Sequence, residues 1–382
     1  MTFPLGRFWA GLVIVFAVAS QARAGFVVND LGVLPNGLSS FGMGINRSGV
    51  IAGTMNLDFF TNRAFLSGGS PIDLGTLDGG RFSAGYGIND GGLVTGDADT
   101  KINGVFRNRA FRSQGAGALL DMGVLPGDLE SFGRAINASG HVAGWSAAGD
   151  GSTRAMVAFA PDVIVPLAGP GSKAFAINDS GTVAGEYTTV GGALSAFRVG
   201  VGGAITDLGR LPGSSGSSAR GINAAGDVVG FTTGAVSRAF LAPASGGSMI
   251  DLGILPQGRA SLAADVNEAM EVVGHVDYGF GATTAFLWLP STRRMIDLNT
   301  LISPTSGWHL LAATAINGES QITGYGLIGG NIHAFRLDPI LGEPLDSAPG
   351  TAVPEPSTLV LTAAGALVLA AFAAARRRRL GA

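Results

Sequence analysis

The chain of 382 residues contains no cysteine, and charged residues make up only 13% of it. The first absence excludes disulfides, a thiolate nucleophile and cysteine-ligated metals. The low charge, together with 46% hydrophobic residues, excludes a largely disordered chain, because disordered segments are polar and charged. Without the six arginines near the two ends, the formal net charge falls from −3 to −9. Such an acidic body is unsuited to binding nucleic acid.

The sequence also lacks the common catalytic motifs. It has neither a phosphate-binding loop ending in Gly-Lys-Ser/Thr nor a nucleophile elbow in a strand-to-helix setting. Asp97 and Asp99 faintly resemble a calcium loop, but Lys101 stands where a third oxygen ligand is needed. We therefore predict no metal site and no cofactor. Four isolated histidines show no metal-ligand spacing, namely His141, His275, His309 and His333.

The N-terminus, residues 1–24, has the layout of a signal peptide. Arg7 supplies a positive start, and the apolar run from Phe8 to Ala19 is short for a membrane span. Ala22 and Ala24 form a small-x-small site for signal peptidase, so we expect the mature chain to begin at Gly25. The alternative is an uncleaved anchor helix.

The C-terminus, residues 354–382, has a different layout. Pro354, Glu355 and Pro356 form a stiff, non-helical start. Residues 357–375 are uncharged and apolar, which predicts a transmembrane helix. A cluster of positive charges follows, which prefers the cytoplasmic side of a membrane. These charges are Arg376, Arg377, Arg378 and Arg379.

This tail resembles the PEP-CTERM sorting signal of Gram-negative bacteria. The resemblance covers the last thirty or so residues and rests on the Pro-Glu-Pro motif, the single helix and the arginine cluster. It implies recognition by an exosortase, cleavage near the motif, and passage through an inner-membrane intermediate to the cell surface or extracellular matrix. Proteins of this kind tend to accompany exopolysaccharide production. The alternative is an ordinary single-pass membrane tail.

The body between the two ends is one unit repeated seven times. An Ile/Val-Asn pair recurs every 41 to 50 residues, and a glycine follows each asparagine after seven residues. An Ala-Phe pair comes next, and we place it in the third unit at Ala158 and Phe159. An Asp-Leu-Gly-like element precedes each asparagine. The repeated asparagines are Asn46, Asn89, Asn137, Asn178, Asn223, Asn267 and Asn317.

Each unit predicts four short strands. Asn-x-x-Gly between two apolar segments is typical of a hairpin turn, in which the glycine takes positive φ. The turns at Asn267 and Asn317 lack that glycine and are expected to differ in detail. The Ala-Phe segment is a third strand, and the Asp-Leu-Gly segment is a fourth. Four strands in a period near 45 residues indicate a propeller blade.

We predict a closed, all-β propeller over residues 25–338, with seven four-stranded blades. The mature chain starts with a fourth strand at Val27 to Leu31 and ends with a third strand near Phe335. Pairing these two segments would close the ring and remove two exposed sheet edges. Residues 339–353 are rich in proline, glycine and serine, which predicts a flexible stalk.

The repeat resembles the HAF family of extracellular repeats, named for a His-Ala-Phe step. The literal form occurs here once, at His333, Ala334 and Phe335. The Asp-Leu-Gly and Ile-Asn-x-x-Gly elements also match and cover most of the body. This family implies no general activity that could be transferred to the chain.

Regular positions of the repeat are expected to be structural. The repeated aspartates should cap turns, and the asparagines should form them. The Asn-x-x-Gly turns are expected on one face of the ring, and less regular residues on the other. There, aromatic side chains such as Phe59, Phe60 and Phe280 either cover the ring or stack on sugars. We therefore predict a non-enzymatic binding or structural module, with exopolysaccharide as a possible ligand. The alternative is a secreted polysaccharide lyase or hydrolase, whose candidate residues are Asp128, Glu130, Glu186 and His309.

Overall fold

The structure consists almost entirely of short antiparallel strands. The computed structural model describes residues 25–58, 61–115 and 117–340. The predicted signal peptide, Phe59, Phe60 and the predicted sorting tail lie outside these residues. Within the described residues, 28 strands form seven four-stranded sheets. The prediction of an all-β, seven-bladed propeller is confirmed.

The first three complete blades are meanders of consecutive strands. Blade 1 contains β2 (Ser39–Ile45), β3 (Ile51–Asn56), β4 (Asn62–Ser67) and β5 (Ile72–Asp73). Blade 2 contains β6 (Ser83–Ile88), β7 (Val94–Ile102), β8 (Val105–Ser113) and β9 (Leu119–Asp121). Blade 3 contains β10 (Glu130–Ile136), β11 (Val142–Ala147), β12 (Thr153–Ala160) and β13 (Val163–Pro166).

The next three blades repeat this order. Blade 4 contains β14 (Ser172–Ile177), β15 (Thr182–Thr188), β16 (Leu194–Gly200) and β17 (Thr206–Gly209). Blade 5 contains β18 (Gly216–Ile222), β19 (Val228–Thr233), β20 (Arg238–Ala242) and β21 (Ile250–Asp251). Blade 6 contains β22 (Ala260–Val266), β23 (Val272–Gly279), β24 (Ala282–Leu289) and β25 (Arg294–Asp297), followed by a 3₁₀ helix at Leu298–Leu301.

Blade 7 joins the two ends of the propeller. It contains β26 (Trp308–Ile316), β27 (Ile322–Ile328) and β28 (Asn331–Pro339), and its fourth strand is β1 (Phe26–Asp30). β1 pairs antiparallel with β28, from Phe26 opposite Pro339 to Asp30 opposite Phe335. The predicted pairing of the first mature strand with the segment near Phe335 is therefore present, and it closes the ring.

The meander gives the propeller two distinct faces. We call the side with the Asn-x-x-Gly turns and the third-to-fourth strand turns the turn face, and the opposite side the loop face. Because β1 begins and β28 ends on the turn face, both ends of the described body lie there. The backbone N–H of Ile340 donates to the carbonyl of Gly25 at 3.0 Å, which fixes the two ends side by side.

A glycine on each second strand makes room for a buried side chain of the third strand. A Cβ on Gly53 would lie 2.1 Å from the carbonyl oxygen of Phe41 and 2.6 Å from the ring of Phe65. No real side chain tolerates such contacts. Phe65 and its equivalents in five other blades are fully buried. The glycine and the aromatic ring therefore act as one packing unit.

Blade 3 departs from the predicted alignment. Gly144 lies opposite Met156. The N–H of Ala155 donates to the hydroxyl of Ser172 in the next blade. The Ala-Phe alanines of blades 1, 2, 4, 5 and 7 donate to the equivalent serine hydroxyl. Ala155 and Met156 therefore take the Ala-Phe position, and the assignment to Ala158 and Phe159 was wrong. Because alternate residues of a strand face opposite sides, a shift of three residues places Phe159 on the other face, where its ring contacts His141 at 4.7 Å.

The two turns without glycine keep the backbone path of the others. The N–H of Met270 donates to the carbonyl of Asn267 at 3.0 Å, as Gly49 does to Asn46. Met270 and Ser320 take positive φ values of 61° and 57°, where the other turns have glycine. These two turns differ from the others by an additional hydrogen bond. The side-chain oxygen of Asn267 also accepts the N–H of Ala269, and that of Asn317 accepts the N–H of Glu319.

Candidate functional site in the central channel

The seven repeated asparagines form a closed hydrogen-bonded ring around the central channel. Each side-chain Nδ2 donates to the backbone carbonyl of the asparagine in the next blade, at 2.9 to 3.4 Å. Each Oδ1 accepts the N–H four residues later in its own turn, as Asn46 does from Val50 at 2.9 Å. The asparagines therefore both form the predicted turns and connect the blades.

On the turn face the channel opens into a mouth of about 560 Å³ with an acidic rim. Asp90 accepts the backbone N–H of Arg47 from the preceding blade at 2.8 Å. Asp179 and Glu268 make the same kind of contact with the preceding blade. These carboxylates hold neighbouring turns together, so their regular placement indicates a structural role.

Below the mouth, the channel narrows to a neck of β-branched residues that immediately precede the asparagines, such as Ile45 and Ile316. The position before these residues is glycine or alanine in six blades, but Asp265 in blade 6. Its carboxylate accepts the N–H groups of Val266 and Ile316 at 2.9 and 3.1 Å.

Burial within the ring raises the pKa of Asp265 to about 7, and the negative charge of Glu268 acts in the same direction. Part of the Asp265 surface still faces the channel, so the residue is partly accessible by area. The direction of the pKa shift nevertheless follows from the neighbouring strands, which exclude most of the water around the carboxylate. Asp265 is therefore a titratable group in an otherwise apolar neck.

Beyond the neck lies an inner chamber of about 180 Å³. Every first strand has a β-bulge at the same place, immediately before the Gly/Ala position of the neck. A bulge directs one extra residue out of the regular pleat. The seven bulge residues line the chamber and differ from blade to blade. They are Met43, Tyr86, Arg134, Phe175, Arg220, Ala264 and Thr314.

A second set of variable residues lies behind the bulge residues, one position after the packing glycine of each second strand. Burial lowers the pKa of one member, His275, because a charged imidazolium would be desolvated there. Tyr325 contacts Phe41 of blade 1 edge-on, with ring centroids 5.0 Å apart. The set comprises Thr54, Asp97, Trp145, Glu186, Phe231, His275 and Tyr325.

Two arginines and several aromatic rings form a continuous cluster across blades 2 to 5. The guanidinium of Arg134 lies 4.0 Å from the Tyr86 ring and 4.4 Å from the Trp145 ring. Its Nη1 donates to the carboxylate of Asp97. Burial raises the pKa of Asp97, and the positive charge of Arg134 opposes that shift. The Arg134 guanidinium therefore contacts two aromatic rings and is paired with the Asp97 carboxylate.

Arg220 repeats this arrangement two blades further on. Its guanidinium lies 3.7 Å from the Phe175 ring and 5.1 Å from the Phe231 ring. The nearest carboxylate oxygen, Oε2 of Glu186, is 3.7 Å away and accepts the hydroxyl of Ser218 at 2.6 Å. Burial lowers the pKa of Arg220, and the positive charge of Arg134 contributes in the same direction.

The repeated aspartates lie outside the channel and cap their own turns. Asp73 accepts the N–H of Gly75 at 2.8 Å, and five equivalents make the same contact two residues on. Several also contact the first residue of the His-Ala-Phe step, as Asp30 does with His333 at 2.9 Å. This placement agrees with the structural role expected from their regularity.

The four residues suggested for a polysaccharide-cleaving enzyme are not joined to one another by any described contact. Asp128 pairs with Arg154 at 2.9 Å, whereas Glu130 accepts the backbone N–H of Asn108. His309 is exposed on β26. Of the four, Glu186 contacts a chamber-lining side chain, that of Arg220, at 3.7 Å. Within residues 25–58, 61–115 and 117–340, no group of three or more acidic or histidine side chains could hold a metal ion.

The two carboxylates of the faint calcium pattern are engaged with arginines. Asp99 pairs with Arg81 at 3.0 Å, and Asp97 pairs with Arg134 in the channel rather than on the loop face. Phe280 is fully exposed at the tip of a loop-face hairpin. Phe59 and Phe60 lie outside the described residues.

Sequence reasoning missed Arg134, Arg220 and Trp145. A usable signal exists when the units are aligned on their asparagines. The residue three before each asparagine, and the residue eight after it, change from unit to unit while the surrounding positions repeat. The first of these columns lines the inner chamber, and the second lies behind it.

Comparison with known proteins identifies the C-terminus. Residues 352–379 match the family model of the PEP-CTERM protein-sorting motif. The chain carries a sorting signal for exosortase. It is accordingly an exported protein on a propeller fold. The match lies outside the described residues, and among those that are described, no helix is long and apolar enough to span a bilayer. No curated protein matches the chain in sequence.

Solved structures share the fold at low sequence identity. An oligogalacturonate lyase in complex with manganese has a TM-score of 0.53 at 10% identity, covering 84% of this chain and 95% of that one. The β-propeller domain of the Trilobed protease from Pyrococcus furiosus has a TM-score of 0.51 at 7% identity, covering 82% and 100%. The chain spans 47% and 48% of two puromycin-hydrolysing peptidases, with TM-scores of 0.44 and 0.46. The likenesses to the lyase and to the Trilobed protease domain show the fold alone.

Proposed function

We propose that this exosortase-sorted protein presents its propeller at the cell surface or in the extracellular matrix of a Gram-negative bacterium. There the propeller acts as a non-enzymatic binding module for exopolysaccharide. The three repeated elements, Asp-Leu-Gly, Ile-Asn-x-x-Gly and Ala-Phe, support its assignment to the HAF-repeat extracellular proteins.

The observation that carries this proposal is the contrast between repeated and variable positions. The asparagines, the packing glycines and the capping aspartates repeat because each blade needs them to fold. The bulge residues differ in all seven blades except for two arginines, and they face one chamber. A purely structural ring has no need of such differentiation, whereas a binding site requires it.

The position of the chain ends supports the same function. Both ends of the described body, Gly25 and Ile340, lie on the turn face. The loop face carries neither of them. It also presents exposed apolar side chains at its tips, including Val105, Val190 and Phe280. This face is available to an external partner.

The rival function is a secreted polysaccharide lyase or hydrolase. One observation favours it: the Asp265 carboxylate, with a pKa near 7, would suit a general base. However, both of its oxygens accept backbone amides. No second acid or base is joined to it by a contact among the described residues. Binding without cleavage is therefore the better proposal.

The test uses the full chain, purified in detergent and passed over immobilised exopolysaccharide from the bacterium that makes it. We expect retention with no release of oligosaccharides. Release that is abolished by Asp265→Asn would favour the enzyme. Absence of both retention and release would leave only a purely structural role at the cell surface and would overturn the proposal.

A further inference from the structure

The guanidinium of Arg220 lies over two aromatic rings of the chamber wall. Phe175 lies 3.7 Å from the central carbon, and Phe231 lies 5.1 Å away. A guanidinium donates hydrogen bonds in its plane, so stacking covers the faces and leaves the N–H fork free. Packing on both rings also restricts the rotamers of the side chain. The two ring contacts therefore favour a guanidinium whose N–H groups point away from the rings.

The N–H groups of this guanidinium make one loose ion pair and no hydrogen bond within the described residues. The Arg220 side chain donates no hydrogen bond to a described residue, and its ion-pair partner, Oε2 of Glu186 at 3.7 Å, accepts the Ser218 hydroxyl. The one fully buried polar side-chain atom without a partner in the described chain is Oδ2 of Asp128. The Arg220 nitrogens, which make no hydrogen bond, are therefore not fully buried, and Arg220 lines the chamber. Arg134 differs, because its Nη1 already serves Asp97 and the carbonyl of Gly133.

A second cation lies near the same cluster. The Nζ of Lys173 is 5.3 Å from the Trp145 ring and has no ion pair within the described chain. Trp145 in turn contacts Phe175, with ring centroids 5.7 Å apart. Arg220 and Lys173 therefore border one aromatic cluster. Together with the paired Arg134, Asp97 and Glu186, they leave this side of the chamber with a net positive charge.

We infer that the inner chamber binds the carboxylate of an acidic sugar residue, a uronate, and that Arg220 is its principal contact. The open fork matches the two oxygens of a carboxylate. The chamber of about 180 Å³ is small for a drug-sized ligand, so it suits one sugar residue rather than a long segment. This inference rests on the proposed polysaccharide-binding function and names the chemical class that the site selects.

The experiment measures Trp145 fluorescence of the full chain in detergent during titration with free glucuronate, glucose and acetate. A Trp145→Phe variant identifies the reporter signal. We expect saturable binding of glucuronate and none of glucose. The change Arg220→Gln should weaken binding about 10- to 100-fold, because a charge-assisted hydrogen-bonded pair is lost. Arg220→Lys keeps the charge but loses the fork, so it should restore only part of the affinity.

Arg293→Gln is the matched control, since Arg293 is exposed in a turn outside the channel and its loss changes the net charge equally. Circular dichroism confirms that each variant is folded. Equal glucuronate binding by Arg220→Gln and wild type, or equal binding of acetate, overturns the inference. So does equally tight binding of a polyglutamate peptide. If Arg220→Gln is retained on exopolysaccharide as well as wild type, this site is rejected but the proposed function is kept. If wild type binds glucuronate but is not retained on exopolysaccharide, the site is kept and the proposed function is rejected.

Discussion

The side-chain amide of Asn317 donates to the backbone carbonyl of Asn46 at 2.9 Å and thereby joins the last blade to the first. Six equivalent hydrogen bonds join the other neighbours. The donor of each pair is fixed because its Oδ1 already accepts an N–H of its own turn. The turn that shapes one blade therefore also sets its distance from the next.

The change Asn137→Asp separates these two roles. Aspartate still accepts the N–H of His141, but it replaces the Nδ2 donor with a carboxylate oxygen that faces the carbonyl of Asn178. We expect a loss of about 1–3 kcal/mol in the free energy of unfolding, measured by urea denaturation. Asn331→Asp, at an exposed hairpin, is the control and should change stability by less than about 0.5 kcal/mol. Equal effects would show that the ring contributes nothing.

Ring closure gives a second prediction. Phe26 of β1 is 1% exposed, whereas its neighbour Val27 is 54% exposed. Phe26→Ala should cost about 3–5 kcal/mol through the cavity it leaves, and Val27→Ala should be nearly neutral. Thermal and urea unfolding of both variants provide the measurement. A neutral Phe26→Ala would mean that β1 is not part of the core that closes the propeller.

The blades and their closure could be predicted because the repeat encodes local geometry. The turn at Asn46 to Gly49 and the packing glycine Gly53 are each specified by residues close in sequence. The last unit ends with its third strand near Phe335, so its blade needed a fourth strand from the start of the chain, at Val27. These features need no knowledge of how the blades sit against one another.

The channel site could not be predicted from the same reasoning. The contact between Arg220 and Phe175 joins residues of neighbouring blades, and its geometry depends on a bulge that has no sequence motif of its own. In blade 3, Met156 replaces phenylalanine, so pattern matching chose the wrong Ala-Phe pair. Spacing reveals which positions repeat, but only the bulge shows which of the others face the channel.

The packing glycines provide a third prediction. A Cβ on Gly185 would lie 2.1 Å from the carbonyl oxygen of Lys173 and 2.9 Å from the Phe197 ring. Gly185→Ala should therefore lower the free energy of unfolding by about 1–3 kcal/mol through overpacking. Gly169→Ala is the control, because nothing lies within 4 Å of the added Cβ. Equal stability of the two variants in urea would contradict the packing account.

The sorting motif gives a prediction about the fate of the chain. We expect surface-extracted protein to lack the residues after the Pro-Glu-Pro motif, as measured by intact-mass spectrometry. The motif change Glu355→Ala should leave the tail attached and hold the protein in the membrane fraction. Glu343→Ala, which removes the same charge outside the matched residues 352–379, should be processed normally. An intact tail in the wild-type protein at the surface would contradict exosortase cleavage.

Asp265 should make stability depend on pH in an unusual direction. Its folded pKa of about 7 lies above the ordinary value of 3.8, so the folded state holds the proton more tightly than the unfolded chain. The resulting stabilisation of the protonated form is fully present below pH 4 and is lost as the pH rises towards 7. The upper limit of this stabilisation is about 4 kcal/mol.

Asp265→Asn removes the charge while its amide oxygen can still accept one backbone N–H. This variant should therefore unfold at a higher urea concentration than wild type at pH 8. The gap should close towards pH 4, where both side chains are neutral. Glu268→Gln at the rim removes a neighbouring charge and should lower the Asp265 pKa slightly, which narrows the same gap. A difference between wild type and Asp265→Asn that stays constant from pH 4 to pH 8 would show that the channel does not raise the pKa of Asp265.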